Sequence, residues 1–122
     1  QAVVALGLIN GRMKDFYDVW LLSRHFEFAG EILRGAIEAT FRHRGTEIDA
    51  ESFTWLTEFG DDVSKNTQWR AYLRKSHLTD VPENLAAVTG AIAELIIPPA
   101  TSIALRERYS KRWPPAGPWI AL

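Results

Sequence analysis

Four charged residues stand close together near the start of the chain: Arg12, Lys14, Asp15 and Asp18. Charge in apolar surroundings is costly unless it is paired or functional, and a strongly apolar segment follows this cluster. Two carboxylates one helical turn apart can share a Mg²⁺ ion or its water ligands, or one can orient a hydroxyl group. Arg12 and Lys14 can meet phosphate oxygens. The set suits phosphoryl or nucleotidyl transfer, in which catalysis is mostly positioning and charge stabilisation.

The same residues also suit a purely structural role. An acid in the first turn of a helix, with another three residues later, resembles a capping arrangement, and Lys14 and Asp18 have the spacing of an ordinary i, i+4 ion pair. An Asp-x-x-Asp spacing occurs in many helices. The spacing alone therefore leaves the catalytic and the structural interpretations open.

The composition limits the classes of protein to which the chain can belong. It has 122 residues, a net charge of −1 and no cysteine. One domain with a modest core is expected, without a global field that would attract nucleic acid or an anionic membrane. Disulfides and thiolate metal sites are excluded, and a cytoplasmic location is expected. No apolar run approaches the roughly 20 residues that a membrane-spanning helix needs, so no membrane contact is expected.

Other candidate sites are weaker. The three histidines are scattered without the spacing of metal ligands, so no protein-held metal site is predicted. Ser23 has no adjacent base in the sequence, which leaves a hydrolase without support. A basic helix face can either contact an RNA backbone or be simply solvated; it consists of Arg70, Arg74, Lys75 and His77. No helix carries the dense basic set of a helix-turn-helix DNA binder.

The spacing of apolar residues predicts a compact all-α domain of about five to six helices over residues 1–122. A helix end is predicted over residues 1–9, and further helices over 14–25, 29–44, 49–59, from Asp61-Asp62 onward, and from Pro82 to Pro98-Pro99. Gly45 and Gly60 are predicted helix stops. The tail around Trp113-Pro114-Pro115 and Gly117-Pro118-Trp119 is predicted to be extended and irregular.

The block Arg12-x-Lys14-Asp15-x-x-Asp18, following Val3-Val4-Ala5-Leu6-Gly7-Leu8-Ile9-Asn10, resembles the last conserved motif of the AbiEii/AbiGii nucleotidyltransferase toxins, the toxin halves of abortive-infection toxin–antitoxin pairs. The resemblance extends along the chain through four further segments: Ala36-x-x-Ala39-Thr40-Phe41-x-x-Arg44-Gly45, Gln68-Trp69-Arg70-x-Tyr72-Leu73, Ile97-Pro98-Pro99 and the tail from Trp113 to Trp119.

The resemblance implies a function and a set of site residues. Proteins of this family combine a nucleotidyltransferase-like N-terminal domain with a helical C-terminal domain, and transfer nucleotides from an NTP with Mg²⁺, with tRNA as a target. By resemblance, Asp15 is the catalytic or site-supporting carboxylate, with Arg12, Lys14 and Asp18 as its immediate supports. A cognate antitoxin is an implied partner.

The family's Gly-Ser and Asp-x-Asp motifs, which hold metal and triphosphate, occur nowhere in these 122 residues. The chain also begins at Gln1 within an apolar helical run. Both features lead us to expect the C-terminal half of a longer enzyme, inactive by itself, with Mg²⁺ and NTP bound only by the complete protein. The alternative is a stand-alone helical module that binds a partner and performs no chemistry.

Overall fold

The computed structural model describes residues 12–49 and 51–122. Most of these residues lie in five helices: α1 (Met13–His25), α2 (Gly30–His43), α3 (Trp55–Asp61), α4 (Val63–Lys75) and α5 (Leu85–Ala104). Three short strands complete the described chain: β1 (Phe28–Ala29), β2 (Lys111–Trp113) and β3 (Ile120–Ala121). This compact, mostly helical fold confirms the all-α prediction. The helix end predicted over residues 1–9 lies outside the described residues.

Helix α5 is the centre of the fold and contacts all four other helices. Its apolar residues recur at three- and four-residue intervals, and Leu85, Val88, Ile92, Leu95 and Ile96 are completely buried. The apolar faces of α1 and α2 close over it with Phe16, Leu33 and Ile37, which are also completely buried. The core is therefore one cluster around α5, as amphipathic helices of this spacing require.

By length and composition alone, α5 could cross a membrane, since it has 20 residues and a mean hydropathy of 1.4 in its most apolar window. The prediction that no segment is long and apolar enough to span a membrane is wrong for Leu85–Ala104, because the predicted helix ended at Pro98-Pro99. In the fold α5 packs against protein along its length, and nine of its residues are buried. The core helix of a globular domain meets the same two criteria.

Helix α5 continues through Pro98 and Pro99 to Ala104, which corrects the predicted helix end at Pro98-Pro99. Proline has no backbone N–H, so Pro99 leaves the carbonyl of Leu95 without its helical donor. The indole Nε1 of Trp119 donates a hydrogen bond to that carbonyl at 3.1 Å. The tail therefore supplies a donor that the helix lacks, which reduces the cost of proline inside α5.

The C-terminal tail is more ordered than predicted, because it contributes β2 and β3 to an antiparallel sheet of order β1-β2-β3. Phe28 pairs with Trp113, and Arg112 pairs with Ile120. The first residue of α2 must be glycine, because a Cβ at Gly30 would lie 2.5 Å from the carbonyl oxygen of Tyr109. This close approach lets the tail pack on the start of α2.

Two predicted helix starts are wrong and one is confirmed. Asp49 accepts the N–H of Glu51 in a turn, and the helix begins only at Trp55 and includes Gly60. Pro82 precedes α5, whose cap is the Asn84 side chain, bonded to the N–H of Ala86. Asp62 caps α4 as expected, because its Oδ1 accepts the N–H of Lys65 at 2.8 Å.

Three helices end in the same Schellman arrangement, with one residue at positive φ. The left-handed residues are Gly45 after α2 (φ 69°), His77 after α4 (φ 56°) and Arg106 after α5 (φ 58°). The diagnostic bonds join the N–H of Thr46 to Phe41 O, Leu78 to Leu73 O, and Glu107 to Ser102 O. Gly45 confirms the predicted stop of α2. Histidine and arginine at the other two ends were not expected, because a Cβ disfavours this conformation.

Replacing His77 by glycine is expected to raise the free energy of unfolding by about 0.5–1 kcal/mol, because glycine adopts positive φ without steric cost. The matched substitution Gly45→Ala should lower it by about 1 kcal/mol, since it places a Cβ at φ 69°. Urea unfolding of the two variants checks both values. Shifts of the same sign would contradict the assigned helix ends.

Burial of Tyr109 makes the stability of the fold depend on alkaline pH. Desolvation raises the pKa of the Tyr109 phenol, whose ring lies edge-on to Trp119 with centroids 5.0 Å apart. Because the pKa of the phenol is higher in the folded state, the folded state favours the protonated phenol. The stability that burial of the phenol contributes is complete below its unfolded pKa and is lost as pH rises through its folded pKa. Melting temperatures should therefore fall above about pH 10. The fall should be shallower in Tyr109→Phe, and an identical profile in both proteins would contradict this assignment.

Candidate functional site

The predicted site residues lie together at the start of α1. Arg12 is the extended residue before the helix, and Asp15 occupies its first turn. The Asp15 carboxylate accepts two hydrogen bonds from the Arg12 guanidinium, from Nε to Oδ2 at 2.7 Å and from Nη2 to Oδ1 at 3.3 Å. This two-point pair fixes the guanidinium plane relative to the helix.

Lys14 and Asp18 form a second ion pair one turn along, with Lys14 Nζ 2.7 Å from Asp18 Oδ2. The hydrogen bond to Asp18 raises the pKa of Lys14, and the hydrogen bond to Asp15 raises the pKa of Arg12. Both cations therefore stay charged over the physiological range. The i, i+4 pair expected from the sequence is present, and the Arg12–Asp15 pair was not foreseen.

The two carboxylates differ in exposure because they lie on different sides of α1. Asp15 is only 8% exposed and shares the buried face with Phe16 and Val19, whereas the Asp18 side chain is 45% exposed. Phe16 stacks on Phe59 of α3 at 4.6 Å between centroids. Helical spacing in the sequence predicts Asp15 on the same side as Val19, Leu22 and Phe26, and the burial of Asp15 and Val19 confirms this for these two residues. Phe26, predicted to lie on that side too, is exposed, because α1 ends at His25.

Tyr72 of α4 belongs to the same neighbourhood. Its ring centroid is 6.4 Å from that of Tyr17. Burial raises the pKa of Tyr72, and the negative charge of Asp18 raises it further, while the charge of Lys14 lowers it. In the sequence, helical spacing predicts only that Tyr72 lies on the inner face of this helix with Trp69 and Leu73. Its place beside the Lys14–Asp18 pair depends on the packing of α1 against α4, which periodicity does not reveal.

The described residues do not fit a Mg²⁺ site by themselves. Over 12–49 and 51–122, no group of three or more His, Asp or Glu side chains gathers where it could hold a metal ion. Asp15 and Asp18 are each engaged by a cation, which competes with any metal for their oxygens. The arrangement instead presents cations. The side chains of Arg12 and Lys14 are 68% and 70% exposed, and each keeps N–H donors that can meet phosphate oxygens.

Comparison with known proteins agrees with the resemblance noted for the Arg12-x-Lys14-Asp15-x-x-Asp18 block. The family model described as nucleotidyl transferase AbiEii toxin, type IV toxin–antitoxin system, matches residues 1–94 of the 122. The match includes all four site residues and α1 to α4, and it stops before Ile97-Pro98-Pro99 and the tail. No curated protein and no solved structure gives a significant match. The chain belongs to the AbiEii nucleotidyltransferase toxin family of type IV toxin–antitoxin systems.

Proposed function

We propose that this domain forms one wall of the active site of an enzyme that transfers nucleotides from an NTP to RNA. The observation that carries the proposal is the pair of adjacent ion pairs at the start of α1, on a domain of a nucleotidyltransferase family. An exposed guanidinium and an exposed ammonium held in fixed positions are suited to binding a triphosphate. Nucleotidyl transfer depends chiefly on such positioning and charge neutralisation.

Each residue has a separate role in this proposal. Arg12 and Lys14 contact phosphate oxygens. Asp15 holds the guanidinium of Arg12 in its bidentate orientation, and Asp18 restrains Lys14. Asp15 is the more important carboxylate, because it is buried and accepts two hydrogen bonds from Arg12. The divalent metal and the rest of the NTP site lie on a nucleotidyltransferase domain that precedes this one.

Several further features follow from family membership as proposals. The acceptor is tRNA, the cognate antitoxin opposes the enzyme's effect in the cell, and the enzyme acts in the cytoplasm. None of these requires the helical domain to hold a metal ion, which agrees with the cation-presenting character of its site. Without the preceding domain, the helical domain should bind and position but not react.

The test uses the full-length parent protein with total tRNA and each of the four NTPs, labelled at the α-phosphate. Label should appear in tRNA with at least one NTP when Mg²⁺ is present, and should be absent with EDTA. The 122-residue chain alone should transfer none. Transfer by the isolated chain, or no transfer by the parent with any NTP and tRNA from its own source, would contradict the proposal.

A second candidate function is favoured by a groove at the C-terminal end of α4 that is lined by Arg70 and Arg74. In that case the chain is a stand-alone module that binds a partner without chemistry. The mass of the endogenous protein separates the two candidates. A species much heavier than 13.8 kDa that contains these peptides supports the enzyme, and a mature product of 13.8 kDa supports the module.

A further inference from the structure

A groove of about 480 Å³ lies at the C-terminal end of α4. The Schellman turn at His77 forms it, because the N–H of Leu78 bonds to the carbonyl of Leu73 and brings the chain back over the helix. The loop then continues through Val81 to Glu83, which form part of the lining. The Schellman bond therefore holds one end of this loop against α4, and the Trp69 indole holds the other by donating from Nε1 to the carbonyl of Pro82 at 2.9 Å.

One wall of the groove carries two arginines and a histidine. Arg70, Arg74 and His77 follow one another at four- and three-residue spacing, which places all three on the same face of α4 and its end. All three are exposed, and among the described residues none of them forms an ion pair within 4 Å. His77 also keeps a positive φ that glycine would adopt at lower cost. The guanidinium groups of Arg70 and Arg74, unpaired within the described part of the chain, favour a ligand-binding role for this wall.

The floor of the groove is apolar. Leu73 is buried, and Leu78 and Val81 are half-buried while packing on the core. A phosphodiester backbone would leave this floor unused. Glu83 in the same lining would repel any anionic group placed beside it, so the negative charges of a bound ligand must lie on the side of Arg70 and Arg74. The combination fits a side-chain anchor flanked by a few carboxylates better than it fits a nucleic acid.

We infer that this groove binds an acidic peptide segment whose apolar side chain occupies the Leu73–Leu78–Val81 floor while its carboxylates pair with Arg70 and Arg74. Four residues of helix separate the two arginines by about 6 Å along the axis, which suits carboxylates on one face of a helical or extended peptide. The site is separate from the proposed nucleotide site, because Tyr72, which faces α1, lies on the opposite side of α4. The inference is therefore independent of nucleotide transfer.

The probe is a random dodecapeptide library displayed on phage and selected against the full chain. Selected peptides should be rich in Asp and Glu around a Leu, Ile or Phe. Their affinity should fall by about tenfold or more in the double variant Arg70→Glu/Arg74→Glu, because two charge-assisted pairs become repulsive. The matched control is Lys75→Glu/Arg108→Glu, which makes the same charge change at exposed cations outside the groove and should alter affinity by less than about twofold.

Amide chemical-shift mapping locates the binding and separates the outcomes. Shifts confined to the segment from Arg70 to Glu83 support the inference. Selection of neutral or basic peptides, no enrichment over an unrelated bait, or equal losses in both double variants would overturn it. Tighter binding of a single-stranded oligoribonucleotide through the same two arginines would also overturn it, and would reassign the groove to RNA.

Discussion

Replacing Trp113 by alanine is expected to lower the free energy of unfolding by about 3–5 kcal/mol, a large share of the 5–15 kcal/mol typical of a domain. Trp113 is completely buried, and its Nε1 donates to the carbonyl of Ser23 at 2.9 Å. Its ring also packs edge-on against Trp119 at 5.4 Å. Because Trp113 joins the tail to the end of α1, its loss creates a large cavity and removes one of the two donors to the Ser23 carbonyl, which then keeps only the N–H of Ala116 at 3.0 Å. Urea unfolding measured by far-UV circular dichroism gives the change.

Trp119→Phe is the control for this prediction. It keeps a smaller aromatic ring beside Trp113 and removes the indole donor to the Leu95 carbonyl. The expected loss is about 1 kcal/mol, the net value of one hydrogen bond. If Trp113→Ala cost no more than Trp119→Phe, the tail would not be part of the core, and the tail's role in completing α5 would be wrong.

The second large effect is expected on function. Asp15→Asn in the full-length parent should abolish growth inhibition on expression, because an amide cannot hold the Arg12 guanidinium by two charge-assisted bonds. Loss of one positioned cation at a phosphate commonly lowers a rate by about 100-fold or more. Colony counts after induction measure this effect.

The substitution must leave the fold intact for that result to bear on function. Asparagine matches the size of aspartate, and the Arg12 side chain is 68% exposed, so water replaces the lost partner. The melting temperature of the 122-residue chain should therefore fall by no more than about 5 °C. Asp49→Asn, a carboxylate in an exposed turn, is the matched control and should leave growth inhibition unchanged. A collapse of the fold in Asp15→Asn would contradict the functional assignment, since the pair would then be structural.

The helices could be predicted where one apolar face is continuous. Residues of α2 such as Leu33, Ile37 and Phe41 repeat at four-residue intervals, and the observed helix is within one residue of the predicted bounds at each end. Asp62 could be predicted as a helix cap because a carboxylate just before a helix commonly accepts a backbone N–H of the first turn. Local signals of this kind do not depend on the rest of the fold.

The tail could not be predicted by the same means. Strands of two and three residues are too short to show alternation, and their pairing joins Phe28 to Trp113 across most of the sequence. The continuation of α5 through Pro98 and Pro99 depends on packing and on a hydrogen bond from Trp119. In these places tertiary contacts override local preference, so no short window contains the information.

The candidate site was predictable in its residues and only partly in its geometry. The charges of Arg12, Lys14, Asp15 and Asp18 are evident from the sequence, and the spacing of Lys14 and Asp18 indicates their pair. The Arg12–Asp15 pair depends on the extended backbone of Arg12 before the helix. The groove on α4 depends on the positive φ of His77. Glycine is the residue that usually adopts this conformation, so rules based on residue type do not predict it at a histidine.

The most direct test of the central claim is the initial rate of nucleotide transfer to tRNA by the full-length parent carrying Asp15→Asn, compared with Asp18→Asn and the Asp49→Asn control. We predict a loss of about 100-fold or more for Asp15, a smaller loss for Asp18, and an unchanged rate for Asp49. Transfer by folded Asp15→Asn at the rate of the unaltered protein would contradict the claim. The ion pairs at the start of α1 would then serve the fold alone.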